Sequence, residues 1–599
     1  MKKFICAVIG LSVFIALPVV AEPAFTPLPL AKGANTAFAD EQADDKQGGW
    51  LDQGGNDLRV IKPGRLKLSD IPFDILSDAE TGGKSCIVLG GPERTYLPSK
   101  AEIPVDGKQG KYLYLLHAAA WCPPARETRI TGVLTVDYAG GETSEFRVRF
   151  GRDVGDWGKP DAYRNAARVW TEYNNNTQVS LFVSKFELKE HPVKAIRLEV
   201  RESAWMVVAA TLGDDTKLAR IKPDLTLDKT YVAPVLDKPL AVFDENAVPR
   251  NVIVIIGDGM GPGALQLTSL HQHKAEGRLV MGQFPVTTFC NTLAVDSNVT
   301  DSAAASTAFA CGIKTRNSQL GMSKGRSVLS VAEVAFTQQG KSVGIITSDS
   351  ITGATPAGFY AHTLARNQYD DIAGFAAMCG FDILIGNDNG KAWFAGKDDG
   401  GKRKDDRDII REMTDAGYVV INDQAAFDQV PNGKRVLGFM DKGTLDDETC
   451  LARLTETACA RLSRNDKGFF MMVECAITDG GGHGNRPGLT VLGTLQVDWA
   501  AKAAVEFAGK RGDTLVLVTA DHETGRLTAK FADNPPDKLV INYATTSHTD
   551  IPVRFLAYGP GSKRFDRPMI DNTDIAQTIA GLWSFSLPAF GEDQGGKAK

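Results

Sequence analysis

Along the 599 residues the spacing of apolar positions changes character several times. After Met1-Lys2-Lys3 comes a continuous apolar run, FICAVIGLSVFIALPVV, closed by the small residues Val19, Val20 and Ala21. A basic start, an apolar stretch and a small-residue end is the order of a secretory signal peptide, here residues 1–21, cut after Ala21. Residues 22–46 are small and polar and read as a flexible lead-in. From 47 to 214 the apolar runs are brief, as in AEIPVDG, KYLYLLHAAAW, TGVLTVDYAGG and KAIRLEVR, and glycine, proline or charge bounds each one. Such spacing, with no long amphipathic helix, predicts an all-β sandwich, with a jelly-roll-like course preferred. Residues 215–249, mixed and proline-containing, read as a linker packed on both halves. From 250 to 590 apolar strands (VIVIIGD, SVGIITSD, FDILIGN, GFFMMVECAI, TLVLVTAD, IPVRFLAYG) alternate with helical stretches such as VLGTLQVDWAAKAAVEFAGKRG. That alternation predicts an α/β domain with a mostly parallel central sheet flanked by helices. Ligands of such sheets gather outside the carboxyl ends of the strands.

Composition narrows the class. Hydrophobic residues make up 43% and charged residues 23%, and the formal charge is −6, values of a globular chain. No basic block or basic aromatic stripe provides a nucleic-acid surface. Beyond the leader no stretch is long and apolar enough to span a bilayer, so no stable membrane anchor is expected after cleavage. Cys6 lies inside the leader, and the other eight cysteines lack CxxC spacing, which argues against zinc on thiolates. Pairing of Cys86 with Cys122 and of Cys450 with Cys459 stands beside buried free thiols as an open alternative.

Chemistry enters where apolar strands stop on polar side chains. NVIVIIGDGMGPG ends a strand on Asp258 and then strips side chains from the turn; the turn itself needs glycine, or a positive charge sits against Asp258. LVLVTADHETG ends on Asp521 and His522, either a solvated terminus or two ligands of one ion. In VECAITDGGGHGN, Glu474 lies near a strand, and Asp479 and His483 flank three glycines that permit close approach to a ligand. YATTSHTDIPV places His548 just before another strand. Imidazole with carboxylate suits Zn²⁺, and the carboxylates also suit Mg²⁺. Ser302 follows Asp301 at the head of an Ala/Thr-rich helical run, where an Asp/Ser cap competes with a hydroxyl set at an anion-attracting helix start. A metal beside that hydroxyl would lower its pKa with no histidine base.

Taken in order, IIGDGMG, DSAAASTAFACGIKT, TGATPAGFYAHTLAR, VECAITDGGGH, TADHE and SHTDIPV resemble the alkaline phosphatase family over roughly residues 248–585. The resemblance implies that Ser302 is a phosphorylated nucleophile and that Arg366 grips phosphate oxygens. It implies one zinc on Asp479, His483 and His548, and a second on Asp258, Asp521 and His522. It also implies a magnesium ion on Asp258, Thr355 and Glu474. The sequence departs from the family where Asp or His usually precedes ATP, here Gly353, and where Lys or His often follows the aspartate, here Gly480. Those glycines imply a weaker or more hydrated magnesium and a more open pocket. His522 and His548 are only 26 residues apart, which leaves little room for the subdomain the family often inserts there. The sandwich loosely resembles galactose-binding-like modules, with a role in covering the site, or with Trp50 and Trp157 as glycan contacts set against a core or interface use. The expected activity is hydrolysis of small phosphate monoesters by a periplasmic or secreted enzyme, with homodimerisation open. The alternatives are a phosphodiesterase of the same superfamily, a sulfatase whose local motif is absent, and a secreted glycan-binding protein with a degenerate catalytic half.

Overall fold

A computed structural model describes residues 24–587, except 44, 47–49, 122–128, 159–162, 175–177, 219–229, 245, 442–444, 446 and 533–537. The leader and Cys122 therefore lie outside the described residues. The chain forms two compact units, residues 1–221 and 222–599.

The first unit is built on a six-stranded and a four-stranded antiparallel sheet. Tyr112–Ala120 runs through the larger sheet between Ala204–Gly213 and Gln178–Glu187. Side chains alternate across a strand, and here both faces are covered, which explains the unbroken apolar run. Leu113 and Leu115 join Leu134, Val136, Ile196 and Leu198 of the smaller sheet. Tyr114 and Leu116 point the other way, into a cluster with Phe38, Trp50, Leu58 and Phe73. Trp50 and Trp157 are core residues, 0% and 5% exposed, with rings 5.7 Å apart in an edge arrangement. They offer no glycan contact.

The segment read as a flexible lead-in is part of this unit. Phe25–Pro27 pairs antiparallel with Ala204–Gly213, and Leu28, Leu30 and Phe38 are buried. A three-residue edge strand has no periodicity of its own to read; its order comes from the strand it joins. Of the linker's described residues, 215–218 belong to the first unit, where the Thr216 N–H donates to the Tyr114 hydroxyl oxygen (3.1 Å), and those from 230 on lie along the second unit. The Trp499 indole N–H donates to the Val232 carbonyl (2.8 Å), and the Trp583 indole N–H to the Pro249 carbonyl (2.8 Å).

The second unit is organised on a ten-stranded, mostly parallel sheet. Five elements carry the site: β1 (Asn251–Gly257), α1 (Ser302–Cys311), β2 (Ser342–Thr347), β3 (Phe469–Cys475) and β4 (Thr514–Thr519). The strands lie in the order β2–β3–β1–β4 and are mutually parallel. All four are almost wholly buried, as expected for strands covered on both faces. The chain between His522 and His548 includes a small hairpin, Leu527–Phe531 with Leu539–Tyr543. All seven described cysteines are free. The proposed Cys450–Cys459 bridge fails because both residues lie in one helix, Cys450–Leu462, which holds them on a rigid rod.

Candidate active site

The registers align Thr347, Glu474, Ile256 and Thr519 in one row across β2, β3, β1 and β4. Asp258 and Asp521 each follow two residues beyond that row, so parallel strands deliver carboxylates to one level of the carboxyl edge. The turn after Asp258 answers to two demands at once. Gly259 has φ +68°, and a Cβ there would stand 2.6 Å from the Asp479 Cα. Its N–H donates to Asp521 Oδ1 (3.0 Å). Glycine is thus required both by the left-handed backbone and by close approach.

Asp479 and His483 are carried on regular backbone despite the three glycines between them. They occupy a short helix, Ile477–His483, at i and i+4, with His483 Nε2 3.2 Å from Asp479 Oδ2. The glycines between them serve packing: a Cβ on Gly481 or Gly482 would lie 2.7 Å from Thr490 N or Thr524 Cβ, whereas one on Gly480 would meet nothing within 4 Å.

The residues named from sequence converge. Ser302, at the head of α1 and 4% exposed, has its Oγ 3.3 Å from His522 Nε2. His522 Nε2 is also 3.2 Å from Asp521 Oδ2 and 3.6 Å from Asp258 Oδ1. His548 Nε2 lies 3.1 Å from His483 Nε2 and 3.5 Å from Asp479 Oδ1. Thr355 Oγ1 reaches Asp258 Oδ2 at 3.4 Å, and Glu474 accepts from the Thr347 hydroxyl. Arg366 meets Asp301 Oδ2 at 3.3 Å, while Asp301 caps α1 by accepting from the Ala304 N–H (3.0 Å). In the Asp301–Ser302 pair the aspartate caps the helix and the serine faces the cluster.

Three residues outside the motif reading set the imidazoles. His483 Nδ1 bonds the Thr546 carbonyl (2.6 Å), and His548 Nδ1 bonds the Thr300 carbonyl (3.0 Å). His522 Nδ1 meets Thr524 Oγ1 (3.2 Å), whose proton goes to Asp479 Oδ1 (2.5 Å). A carbonyl only accepts, so each Nδ1 carries the hydrogen and each Nε2 turns a lone pair to the centre. No sequence signal marked these partners, because two of them act through main-chain oxygen.

The donor set fits cations. Two groups of ligand atoms, Asp258–Asp521–His522 and Asp479–His522–His548, each lie within 4.8 Å of one another. Asp258 Oδ1 and Asp521 Oδ2 are buried with no hydrogen-bond partner. Two Nε2 lone pairs 3.1 Å apart repel unless positive charge stands between them. Burial, then Asp521, Asp479 and Glu474, push the Asp258 carboxyl well above its usual range. Burial raises Asp521 to about 6, against the Gly259 N–H. Burial, followed by Asp349, raises Glu474 to about 8. Burial would also raise Asp479, but His483 and His548, when protonated on Nε2, would donate to it and hold it well below the carboxylate range. Burial and the stacked His548 ring, 3.5 Å away, keep His522 neutral.

Paired clusters of buried carboxylate and imidazole around one hydroxyl, on the carboxyl edge of a parallel sheet, define a multi-metal hydrolytic centre. Residues 249–535 match the family described as Alkaline phosphatase. Alkaline phosphatase 4 of Bacillus subtilis (strain 168) is 31% identical, over 57% of this chain and 90% of that protein. Alkaline phosphatase 3 of the same organism is 34% identical, over 46% of this chain and 61% of that protein. The solved alkaline phosphatase from the Antarctic bacterium TAB5 superposes with a TM-score of 0.51 at 28% identity, covering 57% of this chain and 99% of that one. The chain belongs to the alkaline phosphatase family and is an enzyme of metal-assisted phosphate-ester hydrolysis. Among the described residues no helix is long and apolar enough to cross a membrane.

Proposed function

We propose that this chain hydrolyses phosphate monoesters through a phosphoserine at Ser302, with two zinc ions and one magnesium ion as resident metals. Asp479, His483 and His548 hold one zinc, and Asp258, Asp521 and His522 the other. Asp258, Thr355 and Glu474 offer oxygen alone, the donor type magnesium prefers. Bound metal supplies Lewis-acid polarisation and lowers the pKa of a nearby hydroxyl or water.

The chain's own residues do the rest. Ser302 Oγ forms the new bond to phosphorus as the bond to the ester oxygen breaks, and water then displaces Ser302 from the phosphoserine. Arg366, oriented by Asp301, holds the non-reacting phosphate oxygens through a planar guanidinium. The N–H groups at the head of α1 attract the same dianion. The observation that carries this reading is the Ser302 hydroxyl 3.3 Å from His522 Nε2, beside two buried unpartnered carboxylate oxygens. Ser302→Ala is expected to abolish acid-trapped covalent phosphate while leaving zinc content unchanged; normal covalent phosphate on that variant refutes the nucleophile.

The open space beside Gly480 favours room for a second ester group. Parallel rates on aryl phosphate, phosphodiester and aryl sulfate decide this; rapid diester turnover with inert monoesters overturns the monoester reading. The leader supports export to the periplasm or medium. The two antiparallel sheets support a jelly-roll-like, galactose-binding-like class for the first unit.

A further inference from the structure

One carboxylate at the sheet edge has no part in the scheme above. Asp349 stands two residues past Thr347, just as Asp258 stands two past Ile256 and Asp521 two past Thr519. Thr347, Ile256 and Thr519 share one row with Glu474. Four neighbouring strands therefore each bring a carboxylate to the same edge. The turn that carries Asp349 is fixed: its N–H donates to Thr347 Oγ1 (2.8 Å), and its carbonyl accepts from the Asn387 N–H (2.8 Å). The Thr347 hydroxyl in turn donates to Glu474.

The side chain of Asp349 occupies a particular volume. A Cβ built on Gly353 would collide with Asp349 Oδ2. Asp349 and Gly353 line one cavity of about 240 Å³ together with Arg366 and Thr352. The carboxylate thus fills the space into which any side chain at position 353 would project, two residues before Thr355. An independent feature at this corner calls for positive charge: Asp258, 7% exposed, receives Thr355 on one oxygen and has no partner on the other.

We propose that Asp349 is a positioning residue for a divalent cation at the Asp258–Thr355–Glu474 corner, supplying from the end of β2 the polar group that Gly353 lacks. This rests on the reading of that corner as a hard-cation site. Magnesium gives up its waters reluctantly and keeps several of them. A carboxylate facing such a hydrated ion would orient it through its waters without binding it directly. On this view Gly353 does not loosen the third site, because Asp349 supplies a carboxylate from four residues earlier in the chain.

The test uses the full-length, zinc-loaded protein freed of loosely held ions and titrated with Mg²⁺ by calorimetry, with bound metal counted by elemental analysis. Asp349→Ala is expected to weaken Mg²⁺ binding about tenfold, the scale on which outer partners of metal sites act. Zinc content and trapped phosphoserine at saturating Mg²⁺ are expected to persist. If Asp349→Ala fails to fold, the isosteric Asp349→Asn carries the same expectation. In the double variant Asp349→Ala/Gly353→Asp the collision with the carboxylate is gone and the turn has only to yield at the Ser350 carbonyl oxygen, 2.8 Å from the new Cβ; recovered Mg²⁺ affinity shows that charge rather than packing was lost. Mg²⁺ affinity of Asp349→Ala and Asp349→Asn within twofold of the parent overturns the proposal. Loss of phosphoserine in the parent would instead strike the phosphatase mechanism, so the two failures are distinguishable.

Discussion

Each imidazole in this site carries its Nδ1 proton toward an oxygen, and that detail decides what its other nitrogen can do. For His522 the oxygen is the Thr524 hydroxyl, which at the same time donates to Asp479. One hydroxyl thus orients candidate ligands of both clusters. Thr524→Val keeps the shape and removes both hydrogen bonds. It leaves the His522 tautomer unfixed and Asp479 short of a donor. Zinc affinity is expected to fall about 10- to 100-fold, read by competition with a chromophoric chelator, with the secondary structure unchanged. Affinity equal to the parent's would remove Thr524 from the account. Thr524 lies in TADHETG, next to the recognised ligands, yet nothing about a threonine after His-Glu announces this role. Asp258, Asp521 and His522 were legible because apolar strands rarely stop on such groups without cause. Thr524, Thr300 and Thr546 were not, since their contribution depends on which atom the fold turns inward.

Strands can hide a titrating group as well as present one. In the sandwich, His117 sits mid-strand in Tyr112–Ala120 with no solvent exposure. The Trp205 indole donates to its Nδ1 (3.1 Å), so Nε2 carries the proton toward Ser184 Oγ (3.0 Å), and Ser184 donates to the Asp153 carbonyl. Burial holds His117 down at about 3, against the usual 6.5. A histidine depressed in the folded state binds fewer protons than in the unfolded chain between those values. Stability is therefore full above about 6.5 and is lost as pH falls toward about 3, with a slope approaching ~1.4 kcal/mol per pH unit. Urea unfolding followed by tryptophan fluorescence at pH 7 and pH 5 is expected to show that loss, and His117→Gln to show less of it. An equal pH dependence in both proteins would assign the acid sensitivity elsewhere. At this scale the sequence is legible: the runs KYLYLLHAAAW and KAIRLEVR each hold a strand. The edge strand Phe25–Pro27 carries no signal in the sequence because pairing, rather than its own pattern, makes it a strand.

Across the whole molecule, the catalytic unit gathers Asp258, Glu474, Asp479 and Asp521 into one buried region. Like charges there are tolerated only with bound protons or cations. Metal is expected to bind the folded state and not the unfolded chain, so it stabilises by ~2.7 kcal/mol at a free concentration 100-fold above Kd. Extraction with a chelator is expected to lower the thermal transition by several degrees and to abolish turnover, and added zinc to restore both. A transition unmoved by chelation would mean that the carboxylates are stabilised by protons alone.

The alternation of strands and helices, the covered parallel sheet and the choice of candidate ligand residues came from the sequence alone. Each is a matter of local periodicity, or of a polar group placed where an apolar run stops. Only the tertiary structure decided that Asp479 and His483 share a helix face, which lone pairs meet, and that Asp349 stands where Gly353 has no side chain. Those facts depend on register between strands distant in the chain and on the direction of single atoms, and neither leaves a period in the sequence.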